Sequence, residues 1–427
     1  MTDPEILVVG AGPAGMAASI RARESGRSVL VIDDNPNTGG QIWRGGQHAH
    51  RGRQPARWFE RFRRSGVPVL TGAQVLSAVA STKTLLVETW DRSLEFRYKK
   101  LIIAAGAREI FLPFPGWTLP GIVGVGGLQA LVKSGLPVAG KSIVIAGSGP
   151  LLLAVAASLR NSGAHVRLIA EQARRRSVVR LALGLLRHPG KVMQAIGLQY
   201  SLLGIPYRYG CWVEAAEGGE RLERVHLRQG NRRWKQPCDY AAIAYGLYPN
   251  VELPSLLNCR IQNDVVVVDD FGKTSLDDIY CVGECTGIGG LDLSLVKGEI
   301  AGYAAAEDQG RARRLFAARK KAGHFAHRLN QAFALRQELK TLPKDETFVC
   351  RCEDVTYGRL KNVSSFRAAK LHTRCGMGPC QGRLCGPATQ FLFGWRAESI
   401  RPPIFPARVG SLVIDEAVPE ESAPIPQ

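Results

Sequence analysis

Short apolar runs alternate with glycine turns and helical stretches along most of the chain. The run Ile6–Val9 leads into "GAGPAG", a helical stretch follows, and a second run, Val29–Ile32, ends at Asp33. Residues 141–171 repeat this order of strand, glycine turn, helix and strand. Because strands that alternate with helices form parallel sheets, the pattern predicts an α/β fold with two βαβ units.

The first unit carries the residues that a dinucleotide requires. Gly10, Gly12 and Gly15 form GxGxxG at the strand-to-helix turn, and Asp33 follows about 20 residues later. Gly10 makes the tight turn, Gly12 lets a pyrophosphate approach the backbone, and Gly15 packs the helix against the sheet. The helix N-terminus then faces the phosphates, and Asp33 accepts hydrogen bonds from a ribose.

The second unit is incomplete. Gly147 and Gly149 keep the first two glycine positions and Glu171 keeps the acid, but Leu152 occupies the third glycine position. A leucine there should hold the helix away from the strand. The sequence therefore predicts a retained fold in which NAD(P)H binding is weak or absent.

Two further patterns extend this body towards the C-terminus. An apolar strand, Ile279–Val282, ends at Gly283-Glu284 and precedes another helix. Residues 304–340 have apolar residues four apart, which predicts a helical connection to a cysteine-rich region.

Composition gives the broad class of protein. The 427 residues are 45% hydrophobic, which suffices for two or three domains with large cores. No apolar run approaches the ~20 residues that cross a bilayer, and the N-terminus has no basic region or cleavage site. We therefore expect a cytoplasmic protein, in which clustered cysteines indicate metal binding or catalysis more than disulfides.

The charge is strongly positive, with 56 lysines and arginines against 37 acids and a net charge of +19. The positive residues are not interleaved with aromatic residues in a nucleic-acid-binding motif, so we expect no nucleic-acid partner. Two basic runs, 172–191 and 311–328, are typical of solvated helix faces. Docking to an acidic partner protein or to the inner face of the membrane is the alternative.

Four motifs together resemble the two-dinucleotide-domain flavoproteins. They are the first glycine turn, "AAGA" (104–107), "YGLYPN" (245–250) and "IYCVGEC" (279–285), in this order. In that family the first unit holds FAD and the inserted second unit holds NAD(P)H, and Glu284 stands where many members carry aspartate. The FAD-binding residues that the resemblance implies are Gly10, Gly12, Ala14, Gly15, Asp33, Gly40, Gln41, Ala105, Gly106, Gly283 and Glu284.

A narrower resemblance covers nearly the whole chain. "GGQIWR" (39–44), "LPFPGW" (112–117), "GECTGIGG" (283–290) and "CRCE…CGMGPCQGRLC" resemble the alpha subunits of dye-linked amino-acid and opine dehydrogenases. That group includes octopine and nopaline oxidases, D-hydroxyproline and L-proline dehydrogenases and hydrogen cyanide synthase. The resemblance implies an FAD- and 2Fe-2S-containing subunit that takes electrons from a D-amino-acid-oxidase-like partner. A small ferredoxin-like protein is a further candidate partner within the complex, and the acceptor would be a quinone or a dye.

Five of the 10 cysteines lie close together and are candidate ligands of a 2Fe-2S cluster, which takes four thiolates. Cys350 and Cys352 form a CxC pair that directs two sulfurs to one place. For the second pair, Cys380 is equally spaced from Cys375 and from Cys385.

The residues after Cys385 separate the two choices. Pro387 predicts a helix that begins just after Cys385, and the N–H groups and dipole of its N-terminus favour an anionic cluster. Bacterioferritin-associated-ferredoxin-type domains, which this region resembles, also open a helix after their second cysteine pair. The predicted ligands are Cys350, Cys352, Cys380 and Cys385, with Cys375 a spare thiol nearby; a structural zinc site is the alternative.

These features are compatible with three functions. The first is the electron-transferring subunit of a heteromeric amino-acid or opine dehydrogenase. The second is a self-sufficient NAD(P)H-dependent reductase, which Leu152 disfavours. The third is a zinc-stabilised or redox-sensing scaffold with a structural flavin.

The chain has no CxxC of the kind that disulfide reductases use, and we interpret Cys281 and Cys285 as packing thiols. The amine substrate is not encoded here, because its selection would belong to the partner.

The predicted organisation follows from these patterns. The domains are an FAD-binding domain in two parts (1–115 and 241–310), an inserted NAD(P)-like domain (116–240), a helical linker (311–345), a small helical 2Fe-2S domain (346–400) and a tail (401–427).

Overall fold

The structure, a computed structural model, describes residues 3–45, 52–185, 197, 200–396 and 400–412. The strands are β1 (Ile6–Val9), β2 (Val29–Ile32), β3 (Val69–Leu70), β4 (Gln74–Val79), β5 (Thr84–Glu88), β6 (Ser93–Arg97), β7 (Lys100–Ile103), β8 (Ala107–Glu109), β9 (Ile122–Gly124), β10 (Ser142–Gly147), β11 (His165–Glu171), β12 (Tyr207–Tyr209), β13 (Cys211–Glu217), β14 (Arg224–Gln229), β15 (Arg232–Pro237), β16 (Tyr240–Ala244), β17 (Leu247–Pro249), β18 (Ile261–Gln262), β19 (Val265–Val266), β20 (Ile279–Cys281), β21 (Phe348–Cys350) and β22 (Val355–Thr356). The helices are α1 (Pro13–Glu24), α2 (Arg53–Ser65), α3 (Val125–Lys133), α4 (Leu151–Asn161), α5 (Arg175–Leu185), α6 (Glu252–Leu256), α7 (Gly290–Ala305), α8 (Gln309–Arg313), α9 (Phe316–Ala332), α10 (Tyr357–Leu360), α11 (Phe366–Thr373) and α12 (Cys385–Phe393).

The first parallel sheet has the strand order β20-β7-β1-β2-β3. Its central strands are continuous apolar runs. This is expected because α1 and the antiparallel sheet β4-β5-β6 cover these strands and leave little of their surface exposed. Helix α7 crosses α1 in close contact. A β-carbon on Gly298 or Gly302 would lie 2.2 Å from a carbonyl oxygen of α1, so only glycine permits this approach.

The second parallel sheet, β12-β11-β10-β16-β9, is inserted between β8 and β17, which pair antiparallel with each other. Leu152 is fully buried beside α3 and the strands of this sheet. The unit therefore keeps its fold with an apolar side chain in the third glycine position. The α/β class with two Rossmann-like units is confirmed, whereas the exact domain limits remain a prediction.

The connection predicted over 304–340 is not one continuous helix. Glu307 adopts a left-handed conformation (φ 70°) after α7, and the Asp308 side chain then caps α8 by accepting from the Arg311 N–H (3.0 Å). Helix α9 follows, and the chain enters a 3-10 turn at Gln337–Thr341. A left-handed residue and a new N-cap explain the break.

A small C-terminal domain consists of the β21–β22 hairpin and helices α10 to α12. It is anchored to the inserted domain by the Trp117 indole N–H, which donates to the Phe348 carbonyl (2.6 Å). Arg108 donates to the Arg383 carbonyl (3.0 Å). In the described part of the chain, no helix is long and apolar enough to cross a membrane.

Candidate functional site

The first glycine turn is closed on one side and open on the other. Gly10 has φ 103°, and a β-carbon on it would lie 2.4 Å from the Ala104 carbonyl oxygen. A β-carbon on Gly15 would lie 1.8 Å from the Gly10 oxygen, so both positions require glycine. Gly12 caps α1 without a side-chain hydrogen bond, and a β-carbon there would meet only the Gly40 Cα, at 3.8 Å. The turn therefore presents free N–H groups to an open space, which fits a pyrophosphate.

Asp33, the acid of the first unit, lies at one end of this open space. Asp33 accepts from the Ala11 N–H (2.5 Å) and from the Asn35 N–H (2.7 Å). Arg44 reaches the same place, because it donates to the side-chain oxygens of Asn35 (3.4 Å) and Gln41 (2.7 Å). The loop 39–44 and the acid, predicted from separate motifs, are thus brought together.

The remaining predicted flavin residues lie at the ends of β7 and β20. Asn250, the last residue of "YGLYPN", donates through its amide to the Ala105 carbonyl (2.8 Å), and its N–H donates to the Gly106 carbonyl (3.0 Å). Gly283 has φ 76°, and a β-carbon on it would lie 2.9 Å from the Ala14 side chain. Asn250 was not among the flavin-binding residues predicted from the sequence, although it belongs to one of the motifs.

Glu284, which belongs to the predicted flavin motif, also stabilises the local backbone. Its two carboxylate oxygens accept from the N–H groups of Gly289 and Gly290, at 2.9 Å each. Burial raises the pKa of Glu284, while these two bonds and the nearby Lys297 act in the opposite direction. The longer carboxylate therefore caps the N-terminus of α7.

Residues 333–336, here called the strap, lie beside the glycine turn of the second unit, where a β-carbon on Gly149 would meet nothing within 4 Å. The Ser148 hydroxyl donates to the Phe333 carbonyl (3.0 Å), and the Gln172 amide donates to the carbonyl of the next residue (3.2 Å). The Arg336 N–H donates to the Gln172 side-chain oxygen (3.2 Å). Ser148 and Gln172 are buried. The polar groups that flank this turn are thus bonded to the chain's own backbone.

Glu171, the acid of the second unit, is 0% exposed. Its oxygens accept from the N–H groups of Gly149 and Ala173, at 2.8 Å each. Burial raises the pKa of Glu171 to about 7 in spite of these bonds. Glu171 thus makes the same kinds of backbone hydrogen bond as Asp33 of the first unit, which is 5% exposed.

The five C-terminal cysteines form an inner and an outer group. The sulfurs of Cys350, Cys375 and Cys385 all lie within 4.8 Å of one another and are buried. The thiols of Cys375 and Cys385 donate to the Cys350 sulfur and lower the pKa of Cys350 to about 2. Cys352 and Cys380, outside this trio, are hydrogen-bonded to each other, and both are more exposed.

The four predicted ligands therefore fall into two pairs, an inner pair (Cys350 and Cys385) and an outer pair (Cys352 and Cys380). Two pairs of thiolates match a two-iron cluster, in which each iron takes two protein ligands. A compact tetrahedral zinc site would instead use the trio with Cys375. The choice of Cys385 over Cys375 stays a prediction.

The helix next to the cysteines begins earlier than predicted. Helix α12 starts at Cys385 itself, and Pro387 is its third residue. Proline is tolerated there because the N–H groups of the first turn have no partner within the helix. The N-terminus of α12 is therefore at the Cys385 sulfur, as the ligand argument requires.

A cavity of about 460 Å³ lies where three parts of the chain meet. Arg44 lines it from the glycine-rich loop, Trp117 and Leu131 from the inserted domain, and Arg351 and Leu384 from the cysteine domain. Arg351 is the central residue of the CxC pair. The loops with the predicted flavin and cluster residues thus line one cavity.

Cys281 and Cys285 are buried, and the Cys285 thiol donates to the Val282 carbonyl (3.1 Å). Burial raises the pKa of the Cys281 thiol. These contacts support the interpretation that both are packing residues.

Two Rossmann-like units, an open glycine turn and a separate cysteine domain define a flavoprotein oxidoreductase of the two-dinucleotide type. The chain belongs to the pyridine nucleotide-disulphide oxidoreductase family, which matches residues 4–310, and it is an FAD-dependent oxidoreductase.

Two curated relatives match nearly the whole chain. An opine oxidase subunit of Rhizobium meliloti (strain 1021) is 30% identical, with 96% of this chain and 98% of that protein covered. Hydrogen cyanide synthase subunit HcnB of Pseudomonas aeruginosa is 29% identical, with 89% and 90% covered. The structure of L-proline dehydrogenase from P. horikoshii has the same fold, with a TM-score of 0.67, 19% identity and coverage of 96% and 79%. The resemblance stated from the motifs is confirmed.

Proposed function

We propose that the chain is the electron-transferring subunit of a heteromeric amino-acid or opine dehydrogenase. It would take electrons from a D-amino-acid-oxidase-like partner and pass them to an acceptor such as a quinone. A small ferredoxin-like protein is a further candidate partner. The amine belongs to the class of D-hydroxyproline, proline, opines and glycine. We place the complex in the cytoplasm.

One combination of features carries this proposal. The loop 39–44, which lies beside an open glycine turn, and the five-cysteine domain line one cavity through Arg44 and Arg351, in a chain that matches an opine oxidase subunit over nearly its full length. FAD at the first turn would supply the exchange between two-electron and one-electron transfer. The chain's own residues would hold it: the N–H groups after Gly12 on the pyrophosphate, Asp33 on the ribose, and Gly283 beside the helix N-terminus.

A self-sufficient NAD(P)H-dependent reductase is the second candidate, because the second unit keeps Gly147, Gly149 and Glu171. The described contacts weigh against it. The strap binds both side chains that flank this turn, and Glu171 is fully buried. Electrons from a partner protein need no nucleotide at this position.

Anaerobic purification with a D-amino-acid-oxidase-like partner tests the proposal. We expect one FAD and about two iron and two acid-labile sulfide atoms per chain. Zinc without sulfide would instead support a scaffold. Bleaching of the flavin by NADH in the isolated chain, at rates comparable with turnover, would support the reductase.

A further inference from the structure

Most of the net positive charge comes from two stretches without acidic residues. Residues 172–213 contain seven lysines and arginines, and residues 309–337 contain eight, so they supply +15 of the net +19. Their described helices, α5 and α9, pack against each other. The Arg328 guanidinium lies 3.3 Å from the position of a β-carbon on Gly184. Seven of these 15 cations lie on this pair of adjacent helices.

The solvent-facing side of α5 mixes cations with exposed aliphatic residues. Arg175, Arg176 and Arg180 are exposed, and Val179 and Leu183 expose 46% and 65% of their surface. At about 100° per residue, these five positions fall within ~140° of the helix circumference. Aliphatic side chains flanked by arginines are typical of helices that lie in the interface of a bilayer.

Helix α9 extends this surface with Lys320, Lys321 and Arg328, which are all exposed. Among the described residues, none of these cations or the α5 arginines has a carboxylate within ion-pair distance. We call the eight side chains the basic face: Arg175, Arg176, Val179, Arg180, Leu183, Lys320, Lys321 and Arg328. Its charge has no compensation within the described chain.

We propose that the basic face docks the protein on an anionic phospholipid bilayer. Helix α5 lies in the headgroup region, with Val179 and Leu183 towards the acyl chains and the cations on the lipid phosphates. Charged residues are depleted at the core of protein–protein interfaces, whereas cations around aliphatic side chains are favourable on anionic lipid, so a lipid surface fits this face better than an acidic protein. The inference rests on charge and exposure and does not depend on the proposed function.

Vesicle co-sedimentation of the full chain, with its partner where one is present, tests this inference. The probes are phosphatidylcholine vesicles with and without about a third of phosphatidylglycerol, at 0.1 M salt. We expect at least tenfold tighter binding to the anionic vesicles. The double substitution Arg176→Glu/Arg180→Glu should remove this preference, because each cation near the surface contributes about a fivefold factor.

Two further variants complete the design. Val179→Ser/Leu183→Ser should weaken binding several-fold, whereas the charge-matched control Arg92→Glu/Arg97→Glu, on the β4-β5-β6 sheet and its loop, should bind as the unchanged protein does. Far-UV circular dichroism verifies that each variant is folded. Equal binding to both vesicle types, or unchanged binding of Arg176→Glu/Arg180→Glu, would overturn the inference. The inference would also be overturned if the chain did not bind vesicles but required Arg176 and Arg180 to assemble with a partner protein. The basic face would then bind an acidic protein.

Discussion

At the residue scale, Gly12 is where the candidate flavin site can be tested without disturbing the fold. A β-carbon there would meet only the Gly40 Cα, at 3.8 Å, so Gly12→Val fits the free protein. The added methyl groups would stand where a pyrophosphate must approach the backbone. We expect the variant to purify with less than about a tenth of the usual FAD, measured by absorbance after denaturation.

The matched control is Gly323→Val in α9, where a β-carbon meets nothing within 4 Å. It should keep its FAD. If Gly12→Val keeps full flavin occupancy, the FAD site is not at this turn.

The cysteines offer a second test at this scale. If each pair of cysteines binds one iron, we expect Cys380→Ser to lose the 2Fe-2S cluster and Cys375→Ser to keep its iron and acid-labile sulfide. Because the Cys375 sulfur lies within 4.8 Å of those of Cys350 and Cys385, its removal should still shift the electron paramagnetic resonance signal of the reduced cluster. Metal and sulfide analysis, together with that spectrum, measure both effects.

A zinc site made by the inner trio predicts the opposite pattern. Cys375→Ser would then lose the metal, and Cys380→Ser would keep it. That result would remove Cys380 from the ligand set and the 2Fe-2S cluster from the account.

Glu171 predicts a pH dependence of stability. Burial raises its pKa from an ordinary value of 4.5 to about 7, so the stability that its neutral form provides is present below pH 4.5 and is lost as pH rises to about 7. The change is on the order of 3 kcal/mol at most. Between pH 5 and pH 8, we expect the free energy of unfolding of the unchanged protein to fall relative to that of Glu171→Gln. Urea unfolding at the two pH values measures this difference, and an unchanged difference would contradict the burial argument.

The sequence predicted the glycine turn well, because GxGxxG encodes backbone contacts that only glycine allows. Cysteine spacing alone could not choose between Cys375 and Cys385, because both have the same spacing from Cys380. Nor could it show that Cys375 and Cys380 differ in burial. A β-carbon on Gly376 would lie 2.7 Å from the Phe366 ring, so the loop folds tightly over that ring, with Cys375 buried and Cys380 partly exposed.

At the scale of elements, we expect the strap to hinder nucleotide binding by the second unit. The double variant Ser148→Ala/Gln172→Ala removes its side-chain hydrogen bonds. We expect a loss of about 1–3 kcal/mol in the free energy of unfolding, and NADH binding that is measurable by calorimetry only in the variant. Gln236→Ala, which removes an exposed hydrogen bond, is the control.

Tight NADH binding by the unchanged protein would contradict this account of the strap. The strap itself had no sequence signal, because its contacts are backbone carbonyls of an ordinary stretch, "FALR". By contrast, the strands Ile6–Val9 and Val29–Ile32 were predicted at their observed limits, because continuous apolar runs mark strands buried on both faces.

At the scale of the whole molecule, the cysteine domain is held against the nucleotide-binding body at several points. Besides the bonds of Trp117 and Arg108, Gln390 of α12 donates to Asp264, and Leu384 and Phe391 pack into the core of the inserted domain. These contacts join residues more than a hundred positions apart, so local sequence patterns could not reveal them. They place the predicted cluster loop on the cavity that Arg44 also lines.

The central claim is that a partner protein, rather than NAD(P)H, delivers electrons to this chain. The most direct measurement is an anaerobic titration of the purified complex, followed by flavin and 2Fe-2S absorbance, first with NADH and then with an amine substrate of the partner. The account predicts that NADH leaves both chromophores oxidised and that the amine reduces both. Full reduction by NADH, with no response to the amine, would contradict it.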